Sequence, residues 1–318
     1  MSKNILTSDK LIASIRRRAM IPNDTATFED TDLLEIANEE IDVEILPSLL
    51  SLNEEFLVTH VDIPLVNGQP RYEIPYRAVA NKLREVVLVS GANLYEVTRI
   101  DLEHLSDYSG WNLNSGNNAI YIENNEIVFA SISNVAQYTA LRVYYYRSPS
   151  RLVETDRVGQ ITNINKTTGR ITLNYFPENY SNEPKMDFVS ANVPNKIYNF
   201  DVTPTSVNKN TKDVFFDVAD IPDSLQVGDY LCESQETIIP QIPSEMHPML
   251  AQSVAVHVLE ALGDQEGLAA ARNRLDKMSK SVMGMTENRV EGAPRKIVAR
   301  HSTLMNALSG NLRRTRRI

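Results

Sequence analysis

Apolar residues recur at steps of three and four near both ends of the chain and at steps of two between them. In SDKLIASIRRRAM, residues 8–20, Leu11, Ile12, Ile15 and Ala19 share one helix face, with Ser8 placed as N-cap. Ile21-Pro22 ends that helix, because proline disfavours helix in the residue before it. A second stripe follows: Leu34, Ala37, Ile41, Ile45, Leu49, Leu52 and Phe56, with Asp32 and Glu35 at capping spacing. Pro47 lies inside it and removes an amide donor, which predicts a kink or two stacked helices.

From about residue 60 the pattern reads as strands. DIPLVNGQPRYEIP predicts a hairpin turning at Asn67-Gly68. LREVVLV, NLYEVTRI, AIYIENNEIVFA and TALRVYYYR continue the alternation, with an Asn pair marking a turn in the third. QITNINKTTGRITLNYF predicts another hairpin turning over Lys166 to Gly169, and KIYNFDVTP, KDVFFDV and IPDSLQVGDYLCES complete the series. The polar, Pro-interrupted stretch 175–196 reads as a long loop. Helical spacing returns after Pro240–Pro243. PSEMHPMLAQSVAVHVLEALG forms one helix with Gly263 as its C-cap. DQEGLAAARNRLDKMSKSVMGM forms another, with Leu268, Ala271, Leu275, Met278, Val282 and Met285 as a short heptad seam that serves packing within the chain.

The expected fold class is therefore α+β. The N- and C-terminal helices form one helical bundle, a large antiparallel β-sandwich or barrel is inserted between them, and an extended basic tail follows. The expected divisions are residues 1–59, 60–239, 240–288 and 289–318.

Charge changes the picture at the tail. The 318-residue chain carries −9, yet residues 289–318 hold eight Lys/Arg against Glu291, a net +7, which leaves −16 for residues 1–288. Residues 19–60 contain eleven acids and no Lys or Arg, a solvated face or an interaction surface. The single cysteine, Cys232, excludes an internal disulfide and points to a reducing compartment. The N-terminus lacks a signal-peptide layout, and no apolar run approaches the roughly 20 residues that span a bilayer.

Candidate chemistry is sparse. The chain has no phosphate loop, no G-x-G-x-x-G, no H-E-x-x-H and no G-x-S-x-G. His247 and His257 stand ten apart, too far for one metal, and the pairs Glu39-Glu40 and Glu54-Glu55 read as solvated helix surface. Tyr144, Tyr145 and Tyr146 alternate across a strand that packs on both faces, which explains them without base stacking. No enzyme activity, cofactor or metal is expected.

Two stretches carry a resemblance: LIASIRRRAMIPNDTATFEDTDLLEIANEEI (11–41), leading into VNGQPRYEIPYRAV (66–79), and IPQIPSEMHPMLAQSVAVHVLEALGDQEGLAAARNRLDKM (239–278). With its order of helix, β-rich middle, helix and tail, the chain resembles the head-to-tail adaptor, or connector, proteins of short-tailed bacteriophages. Residues 177–236 lie outside the likeness. The resemblance implies a virion protein made in the host cytoplasm and placed in the neck of the particle. It implies a ring, usually of twelve copies, under the portal protein, with tail or nozzle proteins below it. Double-stranded DNA would pass through without sequence-specific binding, and no membrane is involved. It further implies that the C-terminal extension embeds in the portal, with Leu304, Met305 and Leu308 as apolar anchors and Arg313, Arg314, Arg316 and Arg317 steering it. Two other readings stand beside this: a tail or collar ring that does not touch the portal, and a nucleic-acid-binding protein that uses the basic tail.

Overall fold

The computed structural model describes residues 5–21, 27–105, 118–131 and 135–286. Helix α1 runs Ser8–Ala19 and buries Leu11, Ile12, Ile15 and Ala19, as the spacing requires. Its N-cap is Thr7, not Ser8. Ser8 is already helical, and its amide and hydroxyl instead bond the carbonyl of Ile238, at 2.7 and 3.3 Å.

Helix α2 spans Asp30–Glu40, one turn upstream of the expected start. Its cap is a reciprocal pair in which Glu29 accepts from the amide of Asp32, and the Asp32 carboxylate accepts from the amide of Glu29 at 2.9 Å. The run stays helical through Pro47: a π-helical turn over Ile41–Ile45 widens the ladder, with the Leu46 amide bonded to the Ile41 carbonyl, and leads directly into α3 (Leu46–Leu52), whose first turn holds Pro47. The ladder is thus already shifted by one residue where the proline lacks its amide.

The C-terminal helices are α4 (His247–Leu262), stopped by Gly263 at φ +73°, and α5 (Gln265–Thr286). In α4, Leu250, Ala251, Val254, Ala255, Val258 and Leu259 are all buried. They share one apolar cluster with Leu11, Ile15, Leu33, Ile41 and Leu49 from the N-terminal helices and with Leu268, Ala271 and Val282 from α5. Residues far apart in the chain thus close a single core. The seam of α5 serves this core, while Met285 at its end is exposed.

Between these helices the described residues form four sheets. Strands β1 (Val58–Pro64), β3 (Ala78–Ser90), β4 (Asn93–Glu96) and β8 (Ala140–Arg147) pair in the order β1-β8-β3-β4. Strands β2 (Arg71–Glu73), β5 (Thr98–Arg99), β6 (Ala119–Glu123) and β7 (Glu126–Ser131) pair as β2-β7-β6-β5. Tyr72, Leu88, Ile127, Leu141 and Tyr145 fill the cluster these two sheets share. A seven-stranded sheet follows. It comprises β10 (Gly159–Asn165), β11 (Arg170–Leu173), β12 (Met186–Val189), β13 (Ile197–Val202), β14 (Ser206–Asn208), β15 (Asp213–Phe215) and β16 (Tyr230–Glu233), ordered β13-β12-β16-β10-β11-β15-β14. Its own cluster includes Ile161, Ile171, Phe188, Val214 and Leu231. The short strands β9 (Arg151–Leu152) and β17 (Glu236–Thr237) pair in parallel beside it, as do β5 and β6; every other described pairing is antiparallel.

Two expectations need correction. The turn at Asn67-Gly68 is present, with Gly68 at φ +84°, but its flanking strands are not partners. β1 pairs with β8, Val58 opposite Tyr146, while β2 pairs with β7. The turn thus passes the chain from one sheet to another. Similarly, the expected loop 175–196 contains β12, all four of whose residues are buried next to β16 and β13.

Candidate functional site

The residues that the sequence marks for docking, Leu304, Met305, Leu308, Arg313, Arg314, Arg316 and Arg317, lie outside the described residues. Within them, a buried assembly of charge joins the first β region to the seven-stranded sheet. Arg77 enters it just before β3. Its two terminal nitrogens donate to both carboxylate oxygens of Asp187 on β12, each at 2.9 Å. The same side chain reaches Asp201 on β13 through Nη2 (2.6 Å) and Nε (3.2 Å), and Ser234 Oγ at 2.9 Å. Tyr76 and Ser234 each donate to Asp201 as well, and the Arg77 guanidinium lies 5.2 Å from the Phe200 ring centroid.

Asp187 has no exposed surface, and burial pushes its carboxyl upward. The paired Arg77 and the amides of Asp201 and Gln235, at 3.0 and 3.2 Å, work against burial and stabilise the anion. Burial also pulls Arg77 down, but its bonds to Asp187 and Asp201 outweigh it, so this guanidinium sits above its ordinary value. Asp201 is half-buried, and its donors Arg77, Ser234 and Tyr76 overcome burial and hold it below the ordinary carboxylate range. The bidentate geometry gives direction as well as attraction. It orients the seven-stranded sheet on the first β region. The strand-forming stretch MDFV was concealed by its Asp, which reads as a loop residue until Arg77 is placed beside it.

A second polar cluster ties the helices. Glu40, 7% exposed, accepts from Ser253 Oγ and lies 2.5 Å from His257 Nε2. Glu40 is therefore not the solvated surface acid its sequence context implies. Serine, glutamate and histidine together resemble a nucleophilic triad in composition only. The carboxylate sits between the other two, so the imidazole does not contact the hydroxyl as a base must. His247, ten residues earlier on the same helix, is fully buried. Its Nδ1 accepts from the amide of Leu6 at 3.1 Å, and its Nε2 lies 3.1 and 3.2 Å from the carbonyls of Pro240 and Ile242. Nε2 thus carries the proton, and burial lowers the ring to about 4, so it is neutral at pH 7.

Much of the acidic block is bonded within the chain. Asp30 pairs with Arg16, Glu35 with Arg151 and Glu55 with Arg84, and Glu54 accepts from Tyr146. Among the described residues, no group of three or more His, Cys, Asp or Glu is placed to hold a metal ion. No described helix is long and apolar enough to cross a membrane.

These clusters hold parts of the molecule to one another; none lines up a nucleophile with its base. The comparisons with known proteins agree with that character. The family model described as SU10 adaptor protein matches residues 6–183, from the start of α1 through both four-stranded sheets and the β10–β11 hairpin. No curated protein matches the chain.

Proposed function

Because the chain belongs to the SU10 adaptor protein family, we propose that it is a structural protein of a phage particle that joins the head to the tail. The family match over residues 6–183 carries this reading. In it, copies of the chain form a ring, with twelve the favoured number, seated under the portal and continuing its DNA channel. The helices at the two ends of the chain act as one bundle near the ring axis, and the β regions reach outward or toward the tail proteins. The divisions at residues 59, 239 and 288 separate bundle, β region and tail. The −16 carried by residues 1–288 suits a channel through which a polyanion slides without sticking.

Residues 295–318 dock on the portal in this proposal. Ordering a free segment costs about 1–2 kcal/mol per residue fixed, and exposed arginine contacts return roughly 0–1 kcal/mol each. Leu304, Met305 and Leu308, at helical spacing, supply the apolar anchoring. Arg313, Arg314, Arg316 and Arg317 set encounter and register.

The test is mass measurement of the full chain, and of a chain ending at Ala293, each mixed with purified portal. The full chain is expected to join the portal in many copies and the shortened one to remain separate. Equal assembly by both would remove the tail from docking, and no assembly by either would remove the portal as partner. The +7 of residues 289–318 favours a nucleic-acid reading instead if the full chain binds DNA tightly and the binding weakens steeply with salt.

A further inference from the structure

Two patches on the helices carry charge of opposite sign that the chain does not neutralise. The first lies where the end of α1 meets α5. Arg16 there is paired with Asp30, but the two arginines after it have no acid. Arg17 is exposed. Arg18 donates to neutral oxygens, Ser14 Oγ at 3.2 Å and Gln252 Oε1 at 2.7 Å. Gln252 donates in turn to the carbonyl of Ala271 on α5 at 3.4 Å, which brings Arg274, one turn further along α5, beside Arg18. Burial, and then the charges of Arg274 and Arg17, push the Arg18 guanidinium downward. Arg272 on the same helix is answered by Glu260 at 3.1 Å; among the described residues no carboxylate pairs with Arg17, Arg18 or Arg274. Met20, 91% exposed, follows directly at the end of α1.

The second patch lies at the far end of α2. Glu35, Glu39 and Asp42 follow one another at steps of four and three, and together they line a cavity of about 310 Å³. Arg151 is the one cation in that lining, and it bonds Glu35 at 3.2 Å. Glu39 and Asp42 are exposed and have no bonded partner among the described residues. Burial pushes the Asp42 carboxyl upward, and the pull of Arg151 does not cancel it. Val43, 73% exposed, and Glu44, also exposed, continue the patch along the π-helical turn.

Within one chain these patches are held apart. Arg16 fixes the first beside Asp30, and Asp42 lies twelve residues further on, roughly 18 Å at 1.5 Å per residue.

We propose that the two patches meet between copies: Arg17, Arg18 and Arg274 of one copy dock on Glu39, Asp42 and Glu44 of a second, and the exposed Met20 and Val43 supply the apolar part of the contact. Charge complementarity selects this occupant, because the chain itself presents the surface that its arginines lack. A phosphate backbone would leave Met20 unused and would meet an otherwise acidic chain. The two surfaces differ, so the contact is head-to-tail, and its repetition closes a ring or runs on as a filament. The inference rests on the ring proposed above and names where its copies touch.

The test uses the full chain without portal, so its outcome stands apart from that of the portal mixing. One variant carries Arg17→Glu with Arg274→Glu, the other Glu39→Lys with Asp42→Lys; all four positions are exposed, and circular dichroism checks the fold of each. Mass is measured at rising protein concentration in low and high salt. The unaltered chain is expected to form multimers that weaken with salt. Each variant alone is expected to associate about tenfold or more weakly. An equal mixture of the two should associate again, since each offers the charge the other lacks, and so should a chain carrying all four changes. Should a reversal cost the fold, Arg17→Gln or Glu39→Gln takes its place and is expected to weaken association. Variants that associate as strongly as the unaltered chain, a mixture no more associated than its components, or an unaltered chain that stays single at every concentration would each overturn the contact. Loss of salt-sensitive DNA binding in the arginine variant, with association unchanged, would assign the first patch to DNA instead.

Discussion

The helical core and the Arg77 junction both bury side chains from distant parts of the chain, yet they hold by opposite means. In the core, Leu11, Leu33, Leu49 and Leu250 are removed from water, and the contact is non-directional. At the junction a charged pair is removed from water, and attraction has to offset desolvation through good geometry. A core of the first kind tolerates exchange of similar shapes. A junction of the second kind fixes orientation and fails when one partner is lost. The molecule thus uses apolar packing where helices close on each other and ions where one sheet is aligned on the next.

The largest expected effect is at the junction. Asp187→Ala leaves Arg77 buried without its bidentate partner and is expected to cost about 3–5 kcal/mol in chemical denaturation. The paired change Arg77→Met with Asp187→Leu should recover part of that loss. A double variant no more stable than the single would mean that the ions are not what the junction depends on. In the core, Leu250→Ala is expected to cost about 2–5 kcal/mol through lost transfer energy and the cavity left behind. No second deletion nearby should rescue it, which separates the two modes.

Acid should loosen the helical side through His247. Its ring is lowered from 6.5 to about 4, so the unfolded chain binds the extra proton more readily. Stability from this group is complete above pH 6.5, falls as pH drops toward 4, and is then lost, to the extent of about 3 kcal/mol. His247→Gln should flatten that part of the pH profile; an unchanged slope would exclude His247 as its source.

The smallest effects compare two turns. Gly68 and Gly169 both have positive φ, but nothing lies within 4 Å of a Cβ built on Gly68, whereas one on Gly169 would meet the Phe216 carbonyl oxygen at 2.1 Å. Gly68→Ala is expected to cost about 1 kcal/mol from backbone strain alone, and Gly169→Ala clearly more. Equal thermal midpoints for the two variants would show that the close approach at Gly169 is not maintained.

Most local signals in this chain specify their own structure, the two helix N-caps, at Thr7 and Glu29 instead of Ser8 and Asp32, excepted. The α1 stripe, the Gly263 stop, the Asn124-Asn125 turn and the β10–β11 hairpin all follow from residues within a few positions of each other. Their dihedral preferences and hydrophobic spacing act before any distant partner arrives. Partner choice was a different matter. Nothing near Val58 announces Tyr146 opposite it, and a hairpin turn at Gly68 serves a change of sheet as well as it serves a pairing. Glu40 looked solvated until Ser253 and His257 came to it, and the strand at Met186–Val189 was hidden by the aspartate that Arg77 later neutralises. Periodicity records which face of an element avoids water. It carries no record of which surface will cover that face, or of which opposite charge will make a buried carboxylate tolerable; those follow from the energy of contacts formed across the whole chain.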